Sequence, residues 1–396
     1  MLKDKHITIG VTGGIAIYKI LSLVSRLVKE GADVHVVMTE NAQKFVSPLL
    51  FETLSKNRVI TDTFNREDPK EVDHISLAKL SDLVLVAPAT ANIIAKAANG
   101  IADDFLSTML LAVTSKKAFA PAMNTNMLNA PPTQRNIETL KKDGAYIIDS
   151  ATGMLACGDV GSGRLPEPEE LYEHVLYLLS EKDLEGKKVL VTAGPTVEMI
   201  DDVRYLTNRS TGKMGYAIAR AAALRGADVT LISGPTSLGT PMYVNRVDVK
   251  SASDMYEACV KAFPGTDITI KAAAVADYTP AEYREGKIKK AGDMDLQLVR
   301  TKDVLKELGS MKKEGQVLIG FAAEASDIEH NALGKLEKKN LDAIAANDIS
   351  RSDAGFGTDT NEVTMYFRDG EKKTLDKAGK FEIANRLLDE ALRILA

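Results

Sequence analysis

Cysteine is nearly absent: Cys157 and Cys259 are the only two in 396 residues, one in each half. That excludes a disulfide framework and a four-cysteine zinc site, so each is read as a separate thiol. A strong charge of either sign is missing too, since 50 basic and 55 acidic residues leave a formal net charge of -5. Neither nucleic acid nor an anionic membrane is expected as a partner. No apolar run approaches the roughly 18 residues of a membrane helix. The best candidate, 83–98, is broken by Pro88, Asn92 and Lys96. Residues 1–5 lead straight into the apolar segment 6–12 with no signal-peptide pattern, which sets the expectation of a cytoplasmic protein. Two nucleotide signatures are also missing. Neither G-x-G-x-x-G nor G-x-x-x-x-G-K-[ST] occurs, so neither an ordinary nicotinamide site nor a P-loop is indicated.

What the sequence does hold is a repeated plan. Its 45% hydrophobic and 27% charged residues are a globular composition. The length exceeds one ordinary core, so two domains are expected. Both halves open on a β-branched run followed closely by glycine, 6–12 (HITIGVT) and 188–192 (KVLVT), each read as a buried first strand. An amphipathic stretch follows in both. It ends in matching words, Gly31-Ala32-Asp33-Val34 and Gly226-Ala227-Asp228-Val229, where glycine stops the helix and a second strand starts. Strand, helix, strand, twice over, implies an α/β fold of two Rossmann-like, doubly wound domains that bind ligands beyond the carboxyl ends of their strands. A closing helix at 167–179 and a charged linker at 180–187 set the domains at 1–183 and 184–396. Near the end, 363–367 and 372–375 flank Asp369-Gly370, a hairpin signal, before a final helix at 377–395.

In the first half, Gly13-Gly14-Ile15-Ala16 sits at the strand-to-helix turn, where bare backbone and a helix N-terminus suit a phosphate. A tight turn that needs glycine is the plain alternative. The second strand ends in Val37-Met38-Thr39, without an acid for a ribose, so a monophosphate fits better than a dinucleotide. After a strand at 83–87, Pro88-Ala89-Thr90-Ala91-Asn92 is a small-residue turn against which a flat ring could lie. Residues 118–127 repeat the pattern, with Asn124 either a partner for a carboxylate or a helix cap. His74 stands where a helix begins, a place for a cap or a solvated side chain as much as for a base. Cys157 lies in 153–164, a run with four glycines and no periodicity, the composition of an exposed, mobile flap. Cys259, in a periodic segment, reads as core packing.

Taken in order, Gly13-Gly14-Ile15-Ala16, His74 in HISLA, Pro121-Ala122-Met123-Asn124-Thr125-Asn126-Met127 and the LACG around Cys157 resemble the homo-oligomeric flavin-containing cysteine decarboxylases. In particular they resemble the N-terminal domain of the bifunctional phosphopantothenoylcysteine decarboxylase / phosphopantothenate-cysteine ligases of coenzyme A synthesis, over residues 5–180. The resemblance implies a flavodoxin-like domain with FMN at Gly13, Gly14, Ile15, Ala16, Thr39, Pro88, Thr90, Asn92, Ser107 and Thr108. It also implies the chemistry. The flavin oxidises the thiol end of the substrate to a thioaldehyde, CO2 leaves from the carboxylate now β to C=S, and the enethiol regains electrons from reduced flavin and a proton from an acid. In that scheme Cys157 is the proton donor, His74 assists the oxidative decarboxylation, Asn124 holds the substrate carboxylate and Met127 contacts phosphopantothenoylcysteine. Ser150 departs from the family, where proline is common, and bears on the rigidity of the flap.

In the second half, Thr192-Ala193-Gly194-Pro195-Thr196 closes the first strand and 208–215 (NRSTGKMG) precedes an alanine-rich helix. Two polar turns at one sheet edge suit a polyphosphate; a capping loop is the plain alternative for 208–215. Residues 272–278 (AAAVADY) end a strand in Asp277, and Lys287-Ile288-Lys289-Lys290 follows. That run is a solvated face by itself, and a neutraliser of phosphate charge in the company of Asp277. With GFAAE at 320–324 and KLEKKN at 335–340, these words resemble the ligase domain of the same bifunctional family over 186–396. The resemblance implies CTP and Mg2+, with 4'-phosphopantothenate and cysteine as the other substrates. The phosphopantothenate carboxylate attacks the α-phosphate to give an acyl-cytidylate, and the amine of cysteine displaces CMP. Asn208 is implied to steady the acyl-cytidylate, Lys287 to serve the second step, and Asp277, Lys287, Asp303, Phe321, Lys335 and Lys339 to hold CTP. Lys302 stands where proline is common in the family ahead of Asp303.

Two rival readings make different demands. A flavin reductase fused to an unrelated nucleotide-binding domain needs a nicotinamide site, which the sequence does not offer. A non-catalytic flavin scaffold has no use for Cys157 in a glycine loop or for the Lys287 cluster. The resemblance further implies a homo-oligomer, the dodecamer of the family, with FMN sites between decarboxylase subunits and paired ligase domains.

Overall fold

Apolar, β-branched runs form the centre of each sheet, as parallel strands covered on both faces require. The computed structural model describes residues 2–64, 72–154, 160–289, 294–324, 327–348 and 358–396, an α/β chain in two units, Met1–Ser180 and Glu181–Ala396. In the first unit β1 (His6–Val11), β2 (Asp33–Met38), β3 (Leu83–Ala89), β4 (Lys116–Pro121) and β5 (Tyr146–Ile147) stand in the order β2-β1-β3-β4-β5, all parallel. That is the flavodoxin-like order. Every residue of β3 is buried. The helix Ile17–Lys29 buries Ile17, Ile20, Leu23, Val24 and Leu27, the three-and-four spacing that lays one apolar stripe on a sheet. Since β2 and β3 flank β1 on opposite sides, the connections after β1 and β3 diverge and open a crevice at the carboxyl edge.

Two local readings change. Strand β3 continues beyond residue 87 to Ala89, because Ala89 pairs with Pro121 after a register shift. The turn shrinks to Thr90, the cap of the helix Ala91–Asn99. The glycine-rich run after residue 150 also has regular structure, an antiparallel ribbon of β6 (Ala151–Met154) and β7 (Val160–Arg164). Residues 155–159, and with them Cys157, lie outside the described residues.

The second unit contains β8 (Lys188–Ala193), the pair β9 (Val197–Met199) and β10 (Tyr205–Thr207), β11 (Asp228–Ser233), β12 (Val244–Asp248) and β13 (Ile268–Lys271). The pair β14 (Tyr278–Pro280) and β15 (Leu298–Arg300) follows, then β16 (Val317–Glu324), β17 (Ala343–Asp348), β18 (Thr360–Phe367) and β19 (Lys372–Gly379). The main sheet runs β12-β11-β8-β13-β16-β17-β18-β19. It is parallel from β12 to β17, the Rossmann-like order, and the hairpin β18–β19 is added antiparallel at its edge. Gly370 turns that hairpin at φ +88°. Because β19 reaches Gly379, the last helix is Lys380–Leu395 rather than one from residue 377. Its Ile383, Ala384, Leu387, Leu388 and Ala391 share a core with the alanine-rich helix Lys213–Leu224.

Arg225, buried just past that helix, joins the linker to the C-terminal helix. Its Nε and Nη2 donate to Asp183 at 2.9 and 2.5 Å, and its Nη1 reaches the Asn385 carbonyl at 3.0 Å and Asp389 at 2.8 Å. Breaking a fully buried pair costs about 3–5 kcal/mol. Asp183 and Asp389 keep part of their hydration, so Arg225→Ala is predicted to cost ~2 kcal/mol, read as a lower urea midpoint for the second unit. An unchanged midpoint would show the network to be energetically idle.

Candidate active sites at the carboxyl edges of the two sheets

A cavity of about 710 Å³ opens between the connections that follow β1, β3 and β4, within the roughly 300–1,000 Å³ usual for ligand pockets. Gly13, Gly14, Ile15 and Ala16 form one wall, Thr90 another, and Met123, Asn124 and Met127 a third. Thr12 sets their spacing: buried at the end of β1, its hydroxyl donates to the Pro88 carbonyl at 2.6 Å and accepts from the Thr90 amide at 3.1 Å. A Cβ at Gly13 would strike the Asn41 Cβ at 2.7 Å, whereas at Gly14 the nearest atom, on Pro88, is 3.6 Å away. Gly13 therefore serves packing, and Gly14 leaves room for a ligand. The helix Ile17–Lys29 starts after Ala16, which has no side-chain oxygen to cap it. Its positive end stands at the crevice.

The ribbon closes the remaining side. Gly163, at φ +116°, comes so near that a Cβ would lie 2.2 Å from the Met123 carbonyl oxygen. The Met123 amide donates to the Gly163 carbonyl at 3.0 Å, and the Thr125 hydroxyl to the Ser162 carbonyl at 2.6 Å. Ser150 donates to the Pro121 carbonyl at 2.7 Å, tying the ribbon's start to the end of β4. Buried Lys19 donates to the Leu165 carbonyl at 2.8 Å and to Glu167 at 2.9 Å, and so holds the Glu167 carboxyl below the usual carboxylate range. The chain on both sides of residues 155–159 is thus anchored on the cavity wall.

Of the residues expected about the flavin and its substrate, Gly13, Gly14, Ile15, Ala16, Thr90, Asn124 and Met127 line this cavity, and Pro88 backs Gly14. Asn124 accepts from the Asn126 amide at 2.8 Å and caps the helix Thr125–Asn129 while still lining the cavity. The helix cap, one of the two roles the sequence left open, is present. Thr39, His74, Asn92, Ser107 and Thr108 are not among the lining residues. His74, on the helix Asp73–Leu80, meets the Phe105 ring edge-on with 6.2 Å between centroids. The Ser107 amide and the Thr108 hydroxyl both donate to Asp104, each at 2.7 Å.

A second cavity of about 390 Å³ lies at the carboxyl edge beyond the paired strands β8 and β13, lined by 208–214 and 271–275. Asp277, Phe321, Lys335, Asn347, Asn361 and Lys380 complete it. The helix Lys213–Leu224 starts after Gly212, left-handed at φ +77° and again without a side-chain cap. Its positive end meets Arg209, Lys213, Lys271, Lys335 and Lys380, against one carboxylate, Asp277, among the described lining residues. Such a field selects an anion. Burial pushes the Lys271 ammonium below the usual lysine range, and Lys339 adds to the effect. Burial and Lys213 do the same at Lys380. The Asn347 side chain is buried, and its Oδ1 has no hydrogen-bond partner among the described residues. Buried acceptors are almost always paired, so this one marks a place for a ligand N–H. The 272–278 segment is pinned from three sides. Asn208 Nδ2 donates to the Ala274 carbonyl at 3.0 Å, Thr196 accepts from the Ala276 amide at 3.0 Å, and Thr301 donates to the Ala276 carbonyl at 2.7 Å.

Lys287, Asp303 and Lys339 lie outside that lining. Asp303 caps the helix Val304–Met311 through the Lys306 amide at 3.0 Å and pairs with Lys339 at 2.8 Å. Lys302 sets its ammonium 4.7 Å from the centre of the Tyr256 ring. Lys287 is exposed on a loop pinned on either side of it. The Gly286 amide donates to Asp202 at 2.9 Å, the Ile288 amide to Asp201 at 3.1 Å, and Arg204 to the Ile288 carbonyl at 2.8 Å. Burial opposes ionisation of Asp201, yet the Arg204 guanidinium and three backbone amides outweigh it and hold the carboxyl far below the carboxylate range. The frame fixes the backbone at 286 and 288, while the Lys287 and Lys289 side chains are exposed.

Sequence reasoning passed over Asp201, Arg204, Lys271, Asn347, Asn361 and Lys380. Lys271 left a signal, a charge closing the apolar run ITIK at 268–271; Asn347 and Lys380 reach the cavity only through the sheet order. Replacing an unpaired buried acceptor with an apolar group of similar shape is nearly neutral or stabilising. Asn347→Leu is therefore predicted to leave the unfolding midpoint unchanged or higher and to weaken nucleotide binding about ten-fold, with CTP as the probe. Lost stability with unaltered binding would refute the ligand contact. Cys259 is fully buried, and burial pushes its thiol up to about 12. At about pH 8 iodoacetamide should leave it unmodified in the native protein and alkylate it after denaturation, as read by peptide mass.

Comparison with known proteins matches the Flavoprotein family over residues 1–180 and the DNA/pantothenate metabolism flavoprotein C-terminal domain over 184–395. The coenzyme A biosynthesis bifunctional protein CoaBC of Bacillus subtilis (strain 168) is 52% identical over 395 residues, 98% of this chain and 97% of that one. Its namesake from Vibrio vulnificus (strain CMCP6) is 46% identical over 94% of this chain and 93% of its own. A crystal structure of the C-terminal domain of such a protein is 45% identical and covers 54% of this chain and 98% of that one, at a TM-score of 0.48. With both halves matched in order and near full-length likeness at these identities, the chain belongs to the family of bifunctional coenzyme A biosynthesis proteins.

Proposed function

We propose that the two activities of this family, decarboxylase and ligase, are divided between the two units. Met1–Ser180 decarboxylates 4'-phosphopantothenoylcysteine to 4'-phosphopantetheine with FMN, and Glu181–Ala396 joins 4'-phosphopantothenate to cysteine with CTP and Mg2+. The observation that carries this reading is the contrast between two similar crevices. Each has a helix end without a side-chain cap, but the first is lined mainly by small and apolar residues, its Lys19 and Arg164 both paired with Glu167, whereas the second gathers Arg209 and four lysines.

The first cavity fits FMN: Gly13 to Ala16 and the helix start suit its single phosphate, and Thr90, Met123 and Leu165 border a flat ring. Bound FMN supplies the electron sink that loss of CO2 from an unactivated carboxylate requires. The chain's own residues orient and protonate. Asn124, whose oxygen accepts from the Asn126 amide, holds the substrate carboxylate, Met127 covers the apolar arm, and Cys157 gives a proton to the product end. His74 assists carboxylate loss. Since His74 does not line the cavity of its own chain, this assignment requires a second subunit, and with it a homo-oligomer.

In the second unit the helix end, Lys213, Lys271, Lys335 and Lys380 take up the charge of the CTP triphosphate, and Phe321 borders the nucleotide. The Asp303–Lys339 pair acts from behind Lys271. Asp277 would hold Mg2+ together with phosphate oxygens, since that ion prefers oxygen ligands. The phosphopantothenate carboxylate attacks the α-phosphate and pyrophosphate leaves; the cysteine amine then attacks the acyl carbon and CMP leaves. Asn208, braced on Ala274, steadies the acyl-cytidylate, and Lys287 serves the second step. Both activities are assigned to the cytoplasm.

The test uses purified full-length protein. It should be yellow, and it should release pyrophosphate from CTP only when phosphopantothenate is present. Cys157→Ser should release CO2 yet accumulate the oxidised enethiol, and Lys287→Gln should lose amide formation. Colourless protein, or NADH oxidation without decarboxylation, would favour the flavin-reductase or scaffold reading instead.

A further inference from the structure

At the opposite, amino-terminal edge of the first sheet, three side chains that neither activity uses converge. His6 opens β1, Asp33 opens β2, and the two are direct partners in the parallel register. His35 follows Asp33 by two positions and so shares its face. Asp33 Oδ2 lies 3.0 Å from His6 Nδ1 and 3.2 Å from His35 Nε2, and the three ligand atoms all fall within 4.8 Å of one another. Ligands roughly 2.0–2.1 Å from a tetrahedral ion stand about 3.4 Å apart. The two measured separations match that edge, and small side-chain rotations close the rest. The other Asp33 oxygen accepts from Asn57 Nδ2 at 2.6 Å, and Asn57 is itself held on the Val34 carbonyl at 3.0 Å. Surrounding groups orient metal-binding carboxylates in this way. All three side chains are half-buried, between 21% and 41% exposed, so an ion can enter and keep a water at its fourth position.

We propose that His6, Asp33 and His35 form a binding site for a zinc-class divalent cation. Two imidazoles and one carboxylate suit Zn2+ and its late first-row neighbours, whereas Mg2+ and Ca2+ take all-oxygen sets. The site lies at the edge away from the crevice, so its role is structural: the ion fastens the first residue of β1 to the edge strand β2.

The test titrates zinc chloride into EDTA-stripped, dialysed full-length protein by calorimetry, with Co2+ absorption reporting tetrahedral coordination. One ion per chain is expected, with binding weakened roughly ten-fold or more in both His6→Gln and His35→Gln. Zinc should raise the thermal midpoint of the native chain and not of the variants. Absence of a stoichiometric site, or binding unchanged in both variants, overturns the proposal. Circular dichroism of each zinc-free variant checks its fold, and Asp33→Asn, which keeps the side chain's size, decides the matter where a histidine variant fails to fold.

Discussion

In a parallel sheet every strand ends at one edge, and each following helix begins there with amides that its own turns cannot satisfy. Both units depend on that constraint. Ala16 and Gly212 each start a helix without a side-chain cap, so the positive ends remain for something else to neutralise. The strand order then decides where: after β1 in the first sheet, and beyond the neighbouring strands β8 and β13 in the second. What differs is the lining. Apolar walls beside a single anion site suit a flat ring with one phosphate, while several lysines suit a polyphosphate.

Readiness for ligand has an energetic side. The Asn347 oxygen is buried unpaired, and Lys271 and Lys380 hold their protons less firmly than free lysines do. Each is a small debit to the empty fold that an anionic, N–H-bearing ligand cancels. Buried Lys19 and Arg225 are paired with carboxylates of the chain, Glu167 and Asp183.

Much of this was legible in the sequence. The strand-helix-glycine repeat gave the parallel sheets, because hydrophobic period and helix stops are local properties. Asp369-Gly370 gave the hairpin for the same reason, and Cys259 its place in the core. Whereas the strand expected to end in Asp277 stops at Lys271, and Asp277 lies on the connection beyond it, Gly13 to Ala16 and Asn124 were visible as strand-end turns. Lys271, Asn347 and Lys380 were not, because they come from β13, β17 and the last helix, brought to one cavity by a sheet order no local word encodes. His74 was picked out by resemblance, and one chain alone does not bring it to the cavity. The glycines of 150–164 looked like slack; in β7 they are spent on close contact with Met123 and Thr125.

That contact bears on how the protein can vary. Ribbon positions that face solvent can change by drift, but at Gly163 any side chain collides with the Met123 carbonyl and meets a backbone conformation closed to it. A substitution there would displace the strand that follows Cys157, the thiol proposed as proton donor, and with it one wall of the cavity. In a survey of natural or clinical variants it would look like a catalytic lesion, and its origin would be purely one of fit.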